Sequence, residues 1–64
     1  MKSLIQEVRK SKGLMQSYVA KQMDISQQVL SNWERGDALP RLDKAFKLAK
    51  VLGVSVYDLW ELDD

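Results

Sequence analysis

The stretch QSYVAKQMDISQQVLSNWERG, residues 16–36, decides the fold of this 64-residue chain. It contains two short helical segments, Gln16–Met23 and Gln27–Arg35, joined by a three-residue turn. Within that turn, Asp24 tolerates a left-handed backbone and Ser26 is a good N-cap for the helix that follows. Apolar side chains fall where two crossing helices would bury them, at Val19, Ile25, Leu30 and Trp33. The pattern predicts two short helices packed across a tight turn.

Three further helices are predicted outside this pair. One covers residues 4–12 and one covers residues 42–52, each with an apolar stripe at helical spacing. A fifth begins after Ser55 and turns Leu59 and Trp60 toward the core. The expected fold class is therefore all-α, with five short helices, of which the second and third form a helix-turn-helix.

The composition predicts one small domain, residues 1–64, held together by helix packing. A chain of this length buries only about 60% of its unfolded surface on folding, so its stability margin is thin. It contains neither Cys nor His, which excludes a disulfide and a Cys/His zinc site. We therefore expect no metal and no cofactor.

The same residue counts disfavour several classes of function. No apolar run approaches the roughly 18 residues of a membrane span, and the lack of Cys fits a reducing compartment, so we expect a cytoplasmic protein. The sequence also has no Gly-rich phosphate loop and no acid pair placed for general acid–base chemistry. An enzyme is therefore not expected.

The charge is distributed unevenly although the net charge is only +1. Residues 1–50 carry ten Lys and Arg against five acids, a net charge of +5, and residues 51–64 carry four acids and no base, a net charge of −4. The positive net charge of residues 1–50 suits a protein that binds phosphate groups with one of its faces. An ordinary solvated surface with a charged end fits the same distribution, so charge alone does not decide the function.

The exposed face of the third helix is rich in uncharged hydrogen-bonding groups, namely those of Gln27, Gln28, Ser31 and Asn32. Gln and Asn amides can pair bidentately with N6 and N7 of adenine in the major groove. An ordinary solvated helix would carry more Glu and Lys, although four polar surface residues are not rare. This face is a candidate for reading DNA bases.

Motifs spread over residues 4–62 match one family of regulators. They are Ile5-x-x-Val8-Arg9, Lys12-Gly13-Leu14-Met15-Gln16, Val19-Ala20, Ile25-Ser26, Leu30-Ser31-Asn32-Trp33-Glu34-Arg35-Gly36, Pro40, Leu48-Ala49-x-x-Leu52-Gly53-Val54-Ser55 and Asp58-Leu59. On these residues the chain resembles the Cro and phage-repressor family of helix-turn-helix regulators, which implies a lambda-repressor-like fold. The chain departs from the family at Asp24, where Gly is frequent, and at Met15 and Arg41, where Ser or Thr is frequent.

The resemblance implies a sequence-specific transcriptional regulator, a repressor, that binds double-stranded DNA. The helix that starts at Gln27 would enter the major groove, with Gln27 and Gln28 as the main base readers and Asn32 one turn further along. Gln16 would bind a phosphate and brace Gln27. Arg35 and Arg41 would also contact the phosphates of the DNA backbone. For Arg41, the alternative is an ordinary solvent-exposed residue at the start of the fourth helix.

The resemblance also places Arg9 of the first helix against Glu34 of the third. A partly buried ion pair between them would orient the third helix, and two unrelated surface charges are the alternative. Its formation is favoured because the resemblance places both residues together, with Glu34 beside Trp33 on a mostly buried helix end.

A weak homodimer on a two-fold DNA site is expected, because one recognition helix reads only a few base pairs. Its surface is predicted at Val54, Val56 and Tyr57, which cannot all face the core beside Leu59 and Trp60. The alternative function is an antitoxin-like or adaptor module that keeps the architecture but binds a protein. Such a module would not need the Gln27 and Gln28 pair.

Overall fold

The computed structural model describes residues 1–63. Four α-helices form the body of the protein: α1 (Ile5–Ser11), α2 (Gln16–Met23), α3 (Gln27–Arg35) and α4 (Leu42–Leu52). A 3-10 turn and two short strands complete it: Val56–Asp58, β1 (Lys2–Ser3) and β2 (Trp60–Glu61). Within residues 1–63, none of the helices has the length and apolar character needed to cross a membrane.

The turn between α2 and α3 has the local structure that its residues favour. Asp24 ends α2 in the left-handed region, with φ 57° and ψ 45°. The amide of Ile25 then donates to the carbonyl of Ala20 at 3.0 Å. Ser26 caps α3, because its hydroxyl oxygen accepts a hydrogen bond from the amide of Val29 at 3.1 Å. These contacts fix the helix-turn-helix at the predicted residues.

The core lies between α2 and its neighbours, since α2 packs against both α3 and α4 while α1 packs against α3. Every helix contributes to it, and the largest fully buried side chains are Ile5, Val19, Met23, Leu30, Leu48 and Leu59. Leu30 and Trp33 are the apolar contribution of α3. Since these two side chains hold one side of α3 inward, the opposite side of the helix is left to solvent.

The prediction of a fifth helix is wrong. The chain instead makes one 3-10 turn, in which the amide of Leu59 donates to the carbonyl of Val56 at 3.0 Å. The predicted start signal is nevertheless present, because Ser55 and Asp58 form a capping box. A short segment without further stabilisation cannot sustain a helix, since nucleation is costly and β-branched residues such as Val56 favour extended structure.

The same part of the chain, which was predicted to be helical, forms a small sheet with residues 2–3 in a protein that is otherwise helical. Strands β1 and β2 pair antiparallel, with Lys2 opposite Glu61 and Ser3 opposite Trp60. The amide of Leu4 extends this pairing by donating to the carbonyl of Leu59 at 2.8 Å. Pairing with β1 gives the backbone after the 3-10 turn its hydrogen-bond partners, which explains why the helix does not continue.

The left-handed residue of the turn gives a stability prediction. A Cβ in this conformation costs about 1 kcal/mol relative to glycine, so Asp24→Gly should exceed Asp24→Ala in free energy of unfolding by that amount. Gln22, an exposed residue inside α2, is the control, because Gly there should be less stable than Ala by about 1 kcal/mol. Urea unfolding measures both pairs. The same order at the two positions would contradict the left-handed turn.

Candidate nucleic-acid interface

Helix α3 presents a polar face on the side away from Leu30 and Trp33. We call this the reading face, and its members are Gln27, Gln28, Ser31, Asn32 and Arg35. The two glutamines and the arginine are exposed, whereas the serine and the asparagine are half-buried. The four predicted base readers therefore share one accessible surface.

Hydrogen bonds connect most of the reading face into one network. The amide Nε2 of Gln28 donates to Oδ1 of Asn32 at 3.1 Å, and Nη2 of Arg35 donates to the same oxygen at 2.6 Å. Arg35 also donates from Nη1 to the hydroxyl oxygen of Ser31. The family resemblance assigns Arg35 to a phosphate of the DNA backbone, at the end of the helix. Its spacing of three and four residues from Asn32 and Ser31 was the available signal that it shares their face.

The structure brings Arg9 and Glu34 together beneath the reading face. Nε of Arg9 lies 2.6 Å from Oε2 of Glu34, and Nη2 lies 3.2 Å from Oε1. The two side chains are only 9% and 3% exposed. Nη1 of Arg9 also donates to the backbone carbonyl of Leu14 at 2.9 Å. This bidentate ion pair ties α1, and the loop before α2, to the C-terminal half of α3.

Gln16 joins the ion pair rather than the reading face. Its Nε2 donates to Oε1 of Glu34 at 3.1 Å, so the expected brace on Gln27 is replaced by a contact with Glu34. Gln16 is half-buried at the first residue of α2. An amide nitrogen has two N–H donors, so the second one is available for a phosphate oxygen. Gln16 thus links the buried pair to the surface.

Arg41 lies apart from the reading face, at the N-cap of α4. Its Nη2 lies 3.0 Å from Oδ2 of Asp43, and both side chains are exposed. The hydrogen bond from Arg41 lowers the pKa of Asp43, and the same contact raises the pKa of Arg41. Both groups are therefore charged at neutral pH, and the arginine is accessible to a phosphate.

Most of the chain matches a known family of proteins. Residues 5–59 match the model of the helix-turn-helix family. The chain belongs to that family. The resemblance to Cro-type regulators that the motifs indicate is thereby confirmed.

Relatives within the helix-turn-helix family share about a third of the sequence. The chain is 34% identical over 64 residues to an uncharacterized HTH-type transcriptional regulator of Methanocaldococcus jannaschii, covering all of this chain and 97% of the relative. It is 31% identical over 64 residues to another from Archaeoglobus fulgidus, covering 91% of that protein. A regulator of the same description from Sinorhizobium fredii is 42% identical over 52 residues, which are 81% of this chain and 68% of the relative.

The predicted dimer residues of this helix-turn-helix protein differ in their surroundings. Val54 and Val56 are half-buried against the core, whereas Tyr57 is 92% exposed. Val56 and Tyr57 lie in an apolar groove of about 390 Å³, and Val54 does not line it. The groove is also lined by Met1, Leu39, Pro40, Leu42, Ala45, Trp60 and Leu62. The structure thus brings together apolar residues from both ends of the chain and from the segment after α3.

The buried ion pair gives the second prediction. Glu34→Ala should lower the free energy of unfolding by about 3 kcal/mol, because it leaves the charge of Arg9 buried without its partner. Asp37→Ala is the control, since it removes the carboxylate of an exposed pair with Arg35 and should cost no more than about 1 kcal/mol. A double-mutant cycle of Arg9→Ala and Glu34→Ala, measured by urea unfolding, should show strong coupling. Additive effects would mean that the pair does not hold α3.

Proposed function

We propose that this protein is a transcriptional regulator that binds double-stranded DNA and reads the major groove with α3. The observation that carries the proposal is the reading face, a set of hydrogen-bonding groups, uncharged except for Arg35, on the side of α3 opposite its buried residues. The membership of the helix-turn-helix family and the relatives described as transcriptional regulators support it.

The chemistry of the reading face suits bases rather than phosphate alone. The major groove of B-DNA is wide enough for an α-helix, and each base pair presents a distinct set of donors and acceptors there. The exposed amides of Gln27 and Gln28 can each donate to N7 and accept from N6 of an adenine. Ser31 and Asn32 lie further along the same face and extend the contact toward neighbouring base pairs.

Phosphate contacts hold the helix in register on the duplex. We assign them to the remaining amide N–H of Gln16 and to the exposed guanidinium of Arg41. The net charge of +5 over residues 1–50 attracts the same polyanion, while the acidic residues are concentrated after residue 50.

The base readers give the third prediction. Gln27→Ala and Gln28→Ala should each cost about 1–3 kcal/mol on the preferred duplex, because each removes a bidentate contact, and should leave binding to random duplex nearly unchanged. Gln6→Ala, an exposed glutamine of α1, is the control and should change neither. Fluorescence anisotropy titrations on both duplexes measure the difference. Equal losses on preferred and random DNA would contradict base reading.

We further propose that the apolar groove holds a second copy of the chain on a two-fold DNA site. A single small domain buries little surface on DNA, and two domains about one helical turn apart would double the contacts. The large apolar side chains around the groove that stay exposed, among them Leu39, Leu42 and Leu62, would lose water on pairing. Because the groove is small, the homodimer should be weak in dilute solution and should form on DNA.

The second candidate function, a protein-interaction module, is favoured by the same groove, because apolar grooves also accept segments of other proteins. The two candidates differ in their behaviour toward DNA. Binding to mixed duplex DNA at low salt that weakens steeply at moderate salt is expected of the regulator, since phosphate contacts release counterions. Failure to bind DNA at low salt would favour the interaction module.

The dimer surface gives the fourth prediction. The double substitution Leu39→Ser with Tyr57→Ser should remove the cooperative gain of a full two-fold site over a half-site, because it takes two apolar side chains from the groove. Phe46→Ser is the control, since Phe46 is 59% exposed on α4 but does not line the groove. Gel-shift titrations on full and half-sites measure the gain. If the double variant keeps the gain, the surface is misplaced.

A further inference from the structure

Arg35 is held in place by three hydrogen bonds from three different nitrogens. Nη1 donates to Ser31, Nη2 donates to Asn32 at 2.6 Å, and Nε donates to Oδ2 of Asp37 at 2.9 Å. Asp37 follows the left-handed Gly36 that ends α3, with its amide donating to the carbonyl of Asn32 at 2.9 Å. The guanidinium is thus anchored on the reading face from both sides.

The remaining hydrogen-bonding capacity of Arg35 matches one base. A guanidinium has five N–H donors, so three of them are engaged within the protein and two are left. Guanine presents two acceptors, O6 and N7, in the major groove, whereas adenine presents an acceptor beside a donor. One of the two remaining N–H groups belongs to Nη1 and one to Nη2, so they suit the two acceptors of guanine and conflict with the donor of adenine.

The carboxylate of Asp37 disfavours a phosphate at the same place. It lies 2.9 Å from Nε of Arg35, so a phosphate that approached this guanidinium would meet a like charge. The edge of a guanine carries only partial charges and does not meet that repulsion. Arg41 pairs with Asp43 across the same two-residue spacing, but its hydrogen bonds within residues 1–63 run to Asp43 and not to the reading face.

We propose that Arg35 reads a guanine in the major groove and that Asp37 is the positioning residue that holds it there. The inference rests on the proposed function and revises the part that the family resemblance assigns to Arg35, from phosphate contact to base reader. The preferred half-site therefore contains a guanine next to the base pairs that Gln28 and Asn32 contact.

The test is a selection of bound sequences from a pool of random duplexes, made with the wild type and with Arg35→Lys. The wild type should prefer guanine at one position of each half-site by about 5- to 160-fold, the range of a bidentate pair. Arg35→Lys keeps the charge and can still donate to guanine, but it loses the planar fork that Ser31, Asn32 and Asp37 hold, so it should weaken the preference at that position. Asp37→Asn should weaken the preference at the same position.

Arg41→Lys and Asp43→Asn are the matched controls, since they alter an exposed pair of the same spacing away from the reading face. Arg41 is assigned to a phosphate, so these two variants can differ from the wild type in affinity for every duplex, but both should prefer the same sequence, because a phosphate contact carries no sequence information. A second measurement replaces the selected guanine by 7-deazaguanine, which lacks the N7 acceptor. This should weaken binding of the wild type by a larger factor than it weakens binding of Arg35→Lys.

The outcomes separate this inference from the proposed function. If Arg35→Lys prefers the same guanine as strongly as the wild type and binds all duplexes more weakly, Arg35 is a phosphate contact and the inference is overturned. If the wild type selects no sequence at all, the proposed function itself fails and the inference fails with it.

Discussion

The buried ion pair between Arg9 and Glu34 is the interaction on which the position of α3 depends. Apolar contacts at Leu30 and Trp33 hold the helix inward, but such contacts are not directional and leave its rotation weakly defined. Two N–H···O bonds from one planar guanidinium require a single relative orientation of the two side chains. With no disulfide possible in this chain, this geometry is what fixes which face of α3 meets the solvent.

The cost of burying these charges is offset by neighbours that satisfy their remaining groups. The carbonyl of Leu14 accepts from Arg9, and the amide of Gln16 donates to Glu34. The direction of Glu34 also matters for function. Since this acid of α3 points inward, the residues of α3 on the reading face present only amides, a hydroxyl and a guanidinium to solvent, and the carboxylate that pairs with this guanidinium, that of Asp37, lies beyond the end of the helix.

The sequence predicts the elements whose signals are local. Helices α2 and α3 begin and end at the predicted residues, because Asp24, Ser26 and Gly36 have strong conformational preferences at their positions. The fifth helix fails although its capping box is real, since the competing interaction is a backbone pairing with residues 2–3, about sixty positions away. No periodicity in residues 55–62 reveals that partner. The contact of Asp37 with Arg35 is not predicted for a related reason, as it depends on the backbone turn at Gly36.

The sheet that replaces the fifth helix also builds the apolar groove. In a helix, Trp60 would point into the core, but as a strand residue opposite Ser3 it is only half-buried and lines the groove. The same pairing brings Met1 and Leu62 to that surface from the two ends of the chain. The groove therefore depends on long-range backbone pairing, whereas the reading face depends on the local helix-turn-helix and the buried ion pair. Because the two surfaces have separate structural origins, substitutions can alter one without altering the other. A regulator needs this independence if the DNA sequence that it recognises and its assembly are to change separately.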